Sequence, residues 1–281
     1  AAALAHNSVP GTTKLHLGGF LNIAMAALQR APRGYGGEAR LVGVQAAACA
    51  VLRRLAGGGV VQQVHILRAD AVPALLGILR RGVHELSGES TAHLATSTAN
   101  LDTHVLNVLD PPRGPPARSP DEERQRVTHI RLIEEAVLVL ESLAQNGDGQ
   151  AAIVMESGVD LLFDVLRWAL SPLSAVRELI PPLPFESVST SATVVCEGPN
   201  SVLQTSLCRL FEKLCENFTA KSQIQRHRSV IDELRQTVEE STAISSLVGE
   251  TAQYQTREVT QAAQAALKWA TRLLRRLDKV V

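Results

Sequence analysis

Apolar residues recur along this chain in groups three or four positions apart, the spacing that lines one face of an α-helix. The pattern is clearest in four segments: ACAVLRRLA from Ala48, AVLVLESLA from Ala136, LCRLFEKLC from Leu207 and AQAALKWAT from Ala263. Each sets small or apolar side chains at i, i+3, i+4, i+7 and i+8, so the same amphipathic helix is predicted four times. A second pattern lies between these segments. LRADAVPALLGIL from Leu67 matches VMESGVDLLFDVL from Val154, and HRSVIDELRQTV from His227 is a weaker copy. Val72, Leu75, Leu76 and Leu79 thereby correspond to Val159, Leu162, Phe163 and Leu166, and Leu21, Ala24, Met25 and Leu28 fit the same face. A shorter motif joins the two patterns: Gln63-x-x-Ile66, Gln150-x-x-Ile153 and Lys221-x-x-Ile224, each shortly after a turn such as AGGGV or AQNGDG.

The predicted unit is a short helix, a helix with a V-x-x-L-L-x-x-L face and a longer helix carrying A-x-x-x-L-x-x-L-A. Units of this kind in tandem form a solenoid, because each buries its apolar face only by stacking on its neighbours. The expected fold class is therefore all-α, with one solenoid domain over residues 1–281.

Within that frame, QQVHILRADAVPALLGIL and GQAAIVMESGVDLLFDVL, each beside an AVLxxLA-type helix, resemble armadillo repeats. The resemblance covers most of the chain, roughly three and a half units, and rests on periodic apolar positions. It implies a right-handed α-solenoid whose third helices floor a concave surface. Armadillo proteins of the nuclear-import adaptor kind carry a Trp and, one turn later, an Asn on each third helix, and these ladders grip an extended peptide. The corresponding Trp places hold Ala50, Leu138, Arg209 and Ala265, and the Asn places hold Arg54, Ser142, Lys213 and Trp269. The ladder is absent, so that role is not expected. Arg54, Leu138, Ser142, Arg209, Lys213 and Trp269 become the candidate partner-binding residues of the third-helix face, where Trp and Arg are common hot-spot residues.

Spacing locates the insertions. From Leu52 to Val72, Leu140 to Val159 and Phe211 to Ile231 the distance stays constant within one residue, whereas the spans from second to third helix differ widely. Loop insertions are therefore expected at 82–126 and 171–200, in turns that align along one rim. In the first, DPPRGPPARSP reads as extended linker, with Ser119 and Pro120 opening the next helix. In the second, Val188 to Val195 alternates like a short strand.

Composition narrows the function. Twenty-eight basic and 28 acidic residues cancel, and aromatics are only 3% of the chain, so overall charge does not favour nucleic acid or an anionic membrane. The basic stretch Lys268, Arg272, Arg275, Arg276 and Lys279 has two readings, a helix-end and capping role or an acidic partner surface. Cys49, Cys196, Cys208 and Cys215 lack CxxC spacing, and three lie in the repeated helices, where a reduced thiol acts as a small hydrophobe. A reducing, cytoplasmic setting is expected. AAALAHNSVPGTT has neither the charged nor the long apolar region of a signal peptide.

Catalytic signatures are missing: there is no phosphate loop, HExxH, GxSxG or dinucleotide fingerprint. His93 and His104 are the nearest approach to a metal pair, and Gly57-Gly58-Gly59 reads as a helix stop and turn. Pro112-x-x-Pro115 matches a short polyproline ligand. The expected function is a non-catalytic protein–protein interaction scaffold with no cofactor, metal or small-molecule substrate. Its expected partners are other proteins of a multi-subunit complex, in a cytoskeletal setting that includes the cilium or flagellum. The alternative is a soluble regulatory or transport adaptor that binds partner peptides in its groove; a helical enzyme would need a polar cluster that the sequence does not display.

Overall fold

The computed structural model describes residues 19–30, 38–99, 120–170, 200–248 and 257–278, and among these every regular element is a helix. In chain order they are α1 (Phe20–Leu28), α2 (Glu38–Ala56), α3 (Val60–Arg68), α4 (Ala71–Ala99), α5 (Pro120–Leu143) and α6 (Gly147–Met155). There follow α7 (Gly158–Leu170), α8 (Asn200–Leu214), α9 (Phe218–Ile224), α10 (Arg228–Val248) and α11 (Arg257–Asp278). Helices α1 and α2 take the second- and third-helix places of the first described unit. The triplets α3–α5, α6–α8 and α9–α11 are complete.

Packing follows the predicted repeat. Third helices stack in series as α2, α5, α8 and α11; second helices as α1, α4, α7 and α10; first helices as α3, α6 and α9. This is an all-α solenoid. Its core is continuous and runs through Leu52 and Leu55 of α2, Ile133 and Leu140 of α5, and Phe211 and Leu214 of α8, all fully buried. Leu75, Leu79, Leu162 and Leu166 close it from the second helices. Each such side chain contributes about 1.5–3 kcal/mol by leaving water. The α1 face is buried as expected at Leu21, Ala24, Met25 and Leu28.

The turns between third and first helices share a construction. Asn146 caps α6 by accepting a hydrogen bond from Gly149 N at 2.7 Å, and Asn217 caps α9 through Ala220 N at 3.1 Å. In the first unit Gly59, with φ of 117°, takes that place without a side-chain bond. The recurring glutamine then reaches back. Gln63 Nε2 donates to the carbonyls of Ala56 at 3.1 Å and, across the unit boundary, Ser142 at 3.0 Å. Asn146 Nδ2 donates to Gln63 Oε1 at 2.6 Å, and Gln150 Nε2 donates to the Ala144 carbonyl at 3.0 Å. At the ends of α2 and α5 a buried amide thus satisfies open carbonyls of the third helix, a role that Lys221 does not repeat after α8.

Two expectations change. Residues 82–99, expected as loop, continue α4, and 120–126 already belong to α5. The sequence after Gly82 has no proline until Pro111, and Val83 and Leu86 extend the apolar stripe of α4 onto the core. The weaker α10 copy buries Val230 and Leu234 rather than Ile231, which sits at the edge with Val238. Ser119, Pro112, Pro115, His104, Cys196, the 171–199 stretch and its Val188 to Val195 strand lie outside the described residues.

Candidate functional site: the third-helix face

Helical spacing brings the candidate residues into one surface made by four adjacent helices. Arg54 on α2, Leu138 and Ser142 on α5 and Trp269 on α11 are half-buried, while Arg209 and Lys213 on α8 are exposed. Val127 and Val202, at 44% and 45% exposure, extend this face toward the N-terminal ends of α5 and α8. Ser142 Oγ donates to the Leu138 carbonyl at 2.9 Å, so its hydroxyl is spent within its own helix.

The charged residues are organised by a ladder of ion pairs between consecutive third helices. Arg53 of α2 meets Glu135 of α5, its Nη2 donating to Oε1 at 3.3 Å while Nε lies 3.1 Å from Oε2 out of alignment. Glu141 of α5 meets Arg209 of α8 at 2.7 Å. Glu212 of α8 accepts from Arg272 Nε of α11 at 2.6 Å and from Arg276 Nη1 at 3.5 Å. Arg53, Glu141 and Glu212 occupy one and the same position of successive third helices, the one three residues beyond Ala50, Leu138 and Arg209. That position faces the next unit and always finds the opposite charge there.

The carboxylates are deeper than the cations they hold. Glu141 and Glu212 side chains are 10% and 7% exposed, against 44% for Arg209 and 61% for Arg272. Burial raises the Glu141 pKa above the ordinary carboxylate value, against the pull of Arg209, Lys213 and Arg53. Trp269 lies between units under two guanidinium groups, with Arg209 and Arg272 carbons 5.4 and 5.0 Å from its ring centroid. Lys213 is 3.8 Å from Glu216, and Arg276 Nη2 is 3.5 Å from the same carboxylate.

Sequence reasoning named the cations and missed Glu135, Glu141 and Glu212. Their signal was available, since Glu141 and Glu212 fall at equivalent places in two aligned helices. The basic residues of α11 also divide: Arg272 and Arg276 belong to the ladder, while Lys268 and Arg275 are exposed.

Glu134, beside Glu135 on the same face, has a buried Oε1 without a hydrogen-bond partner among the described residues. Burial, then the charge of Glu135, pushes its pKa from 4.5 to about 7, against the nearby Arg131. A carboxyl raised on folding binds more protons folded than unfolded between those values. Its stabilising contribution is therefore full below pH 4.5 and lost as pH rises through about 7. Glu134→Gln is expected to raise the melting temperature above neutral pH by a few degrees and to flatten the slope across that window. Thermal denaturation from pH 4 to pH 8 checks it; an unchanged slope would refute the assignment.

The three thiols among the described residues carry no reactive signature. Burial pushes Cys49 and Cys208 to about 12 and Cys215 to about 11, so they pack as small apolar groups. Among the described residues no group of His, Cys, Asp and Glu is arranged to hold a metal ion, and no helix is long and apolar enough to cross a membrane.

No protein-family model matches the sequence, and no curated protein matches it. Among solved structures, the chain is similar to an engineered protein from the Northeast Structural Genomics Consortium, at 17% identity and a TM-score of 0.34, over 97% of this chain and 87% of that one. It is also similar to a designed armadillo repeat protein, at 12% identity and a TM-score of 0.33, over 96% of this chain and 90% of that one. The solenoid itself is defined by the three stacks of first, second and third helices in this chain.

Proposed function

We propose that this chain is a non-catalytic scaffold that holds another protein on its third-helix face. The observation that carries the reading is the row of half-exposed apolar and exposed charged side chains formed by Leu138, Val202, Arg209, Lys213 and Trp269 on three consecutive third helices. Solenoids present long surfaces of this kind to other polypeptides. The side chains are held in place by ion pairs and backbone bonds within the solenoid, so little conformational freedom is lost on binding. The armadillo-like character of the repeat supports membership of a larger assembly, and we place that assembly in the cytoskeleton, the cilium or flagellum included, by family analogy alone. An adaptor that binds and releases soluble clients through Arg54, Arg209 and Lys213 is the competing role; a structural subunit would depend in addition on the 82–126 and 171–200 segments.

The test compares two sets of substitutions. Val202→Glu with Lys213→Glu alters the third-helix face; Met155→Glu with Phe218→Ser alters the first helices, where both residues are 84% exposed. The first pair is expected to release the bound proteins and the second to retain them.

A further inference from the structure

We infer that the α11 end of this face receives an acidic segment of a partner protein, laid over Lys268, Arg272 and Trp269. This rests on the third-helix face being the binding surface. The ladder supplies the argument. Arg53, Glu141 and Glu212 each pair with the following third helix at 3.1, 2.7 and 2.6 Å. Lys268 is the next residue in that series, one position before Trp269. It is exposed and has no partner among the described residues. The position that three times meets an opposite charge carries a cation on α11, and no described residue supplies a carboxylate to it.

The surroundings favour the same chemistry. Arg272 stands one turn beyond Lys268 and gives only Nε to Glu212, which leaves its remaining N–H donors without a partner among the described residues. Arg209 and Lys213 on α8, 44% and 46% exposed at the side chain, continue the positive surface. The carboxylates that fix these arginines lie beneath them, so an approaching chain meets the cations first. Fixed guanidinium forks recognise carboxylates in bidentate fashion, and Trp269 offers apolar area beside them. A nucleic-acid backbone calls for a longer basic stripe. Here the exposed cations Arg209, Lys213, Lys268 and Arg272 cluster on α8 and α11, and Leu138 and Val127 of α5 separate them from Arg53 and Arg54 of α2.

The experiment is selection of random twelve-residue peptides displayed on phage against the full chain. Enriched sequences are then synthesised with fluorescein and measured by anisotropy. Acidic sequences are expected to dominate, to weaken as salt rises, and to lose about tenfold in affinity with Lys268→Glu. Lys268 has no intramolecular partner among the described residues, so this variant leaves the fold intact, and an unchanged melting temperature verifies it. Arg272→Lys is expected to weaken binding less than Arg272→Gln. Enrichment of neutral or basic peptides whose binding is still lost with Val202→Glu overturns the acidic partner and leaves the third-helix reading standing. Peptides that ignore both substitutions overturn the two together. Tighter binding of a single-stranded oligonucleotide of equal charge, or failure to enrich any acidic sequence, also overturns the inference.

Discussion

Gly149→Ala is expected to cost about 3 kcal/mol or more, although it adds a single methyl group. A Cβ at Gly149 would overlap the Leu143 carbonyl oxygen, which is backbone and cannot swing aside. Relief requires α6 to withdraw from the end of α5. That movement breaks the Asn146 cap and separates Gln150 from the Ala144 carbonyl, the two contacts that set the turn. Gly147, two residues earlier, has nothing within 4 Å of the same added atom. Gly147→Ala is therefore expected to change stability by no more than about 0.5 kcal/mol. Urea denaturation followed by circular dichroism separates the cases, and equal effects from both substitutions would mean that the α5–α6 turn is not packed as described.

Phe211→Ala is expected to cost about 3–5 kcal/mol. The ring is fully buried in α8 and lies 4.5 Å, centroid to centroid, from Phe163 of α7. Phe163 in turn stacks on His227 at 4.3 Å, whose Nε2 lies 2.7 Å from Asp160 Oδ1. One side chain therefore anchors a second helix, a third helix and the turn between α9 and α10 of the last unit. In a solenoid stability is shared between neighbours, so the damaged joint is expected to split one unfolding transition into two. Phe211→Leu keeps most of the volume and should cost less than about 1.5 kcal/mol. A single sharp transition at the wild-type urea midpoint in Phe211→Ala would contradict this account of the joint.

The helices were legible in the sequence because burial leaves a periodic mark. Leu52, Leu140 and Phe211 announce the third helices, and Val72 with Val159 the second, since an apolar side chain at those spacings has nowhere favourable to go except the core. The recurring Gln63 and Gln150 were visible as a motif, but their work was not. A glutamine earns its place there by capping carbonyls of a helix that ended several residues earlier, and Ser142 joins only through the stacking of units. The extent of α4 was misjudged because a long span between aligned motifs reads as loop whether or not the chain stays helical.

The candidate site was half legible. Register alone put Arg209, Lys213 and Trp269 on one face. It could not show that Arg209 is held by Glu141, or that Arg272 is held by Glu212, because carboxylates on an amphipathic helix read as solvated by default. Burial of Glu141 and Glu212 is a property of stacked helices, and no single helix displays it. Aligning the repeats against one another recovers part of that information, since the position of Arg53, Glu141, Glu212 and Lys268 is charged in every unit.

The most direct measurement is affinity capture of the tagged full-length chain from its native cells, with co-purifying proteins quantified by mass spectrometry. Three forms are compared: the wild type, Val202→Glu with Lys213→Glu, and Met155→Glu with Phe218→Ser. If the third-helix face holds the partner, its proteins disappear from the first variant and persist with the second. Retention by the first variant and loss from the second would place binding on the first helices and contradict the account.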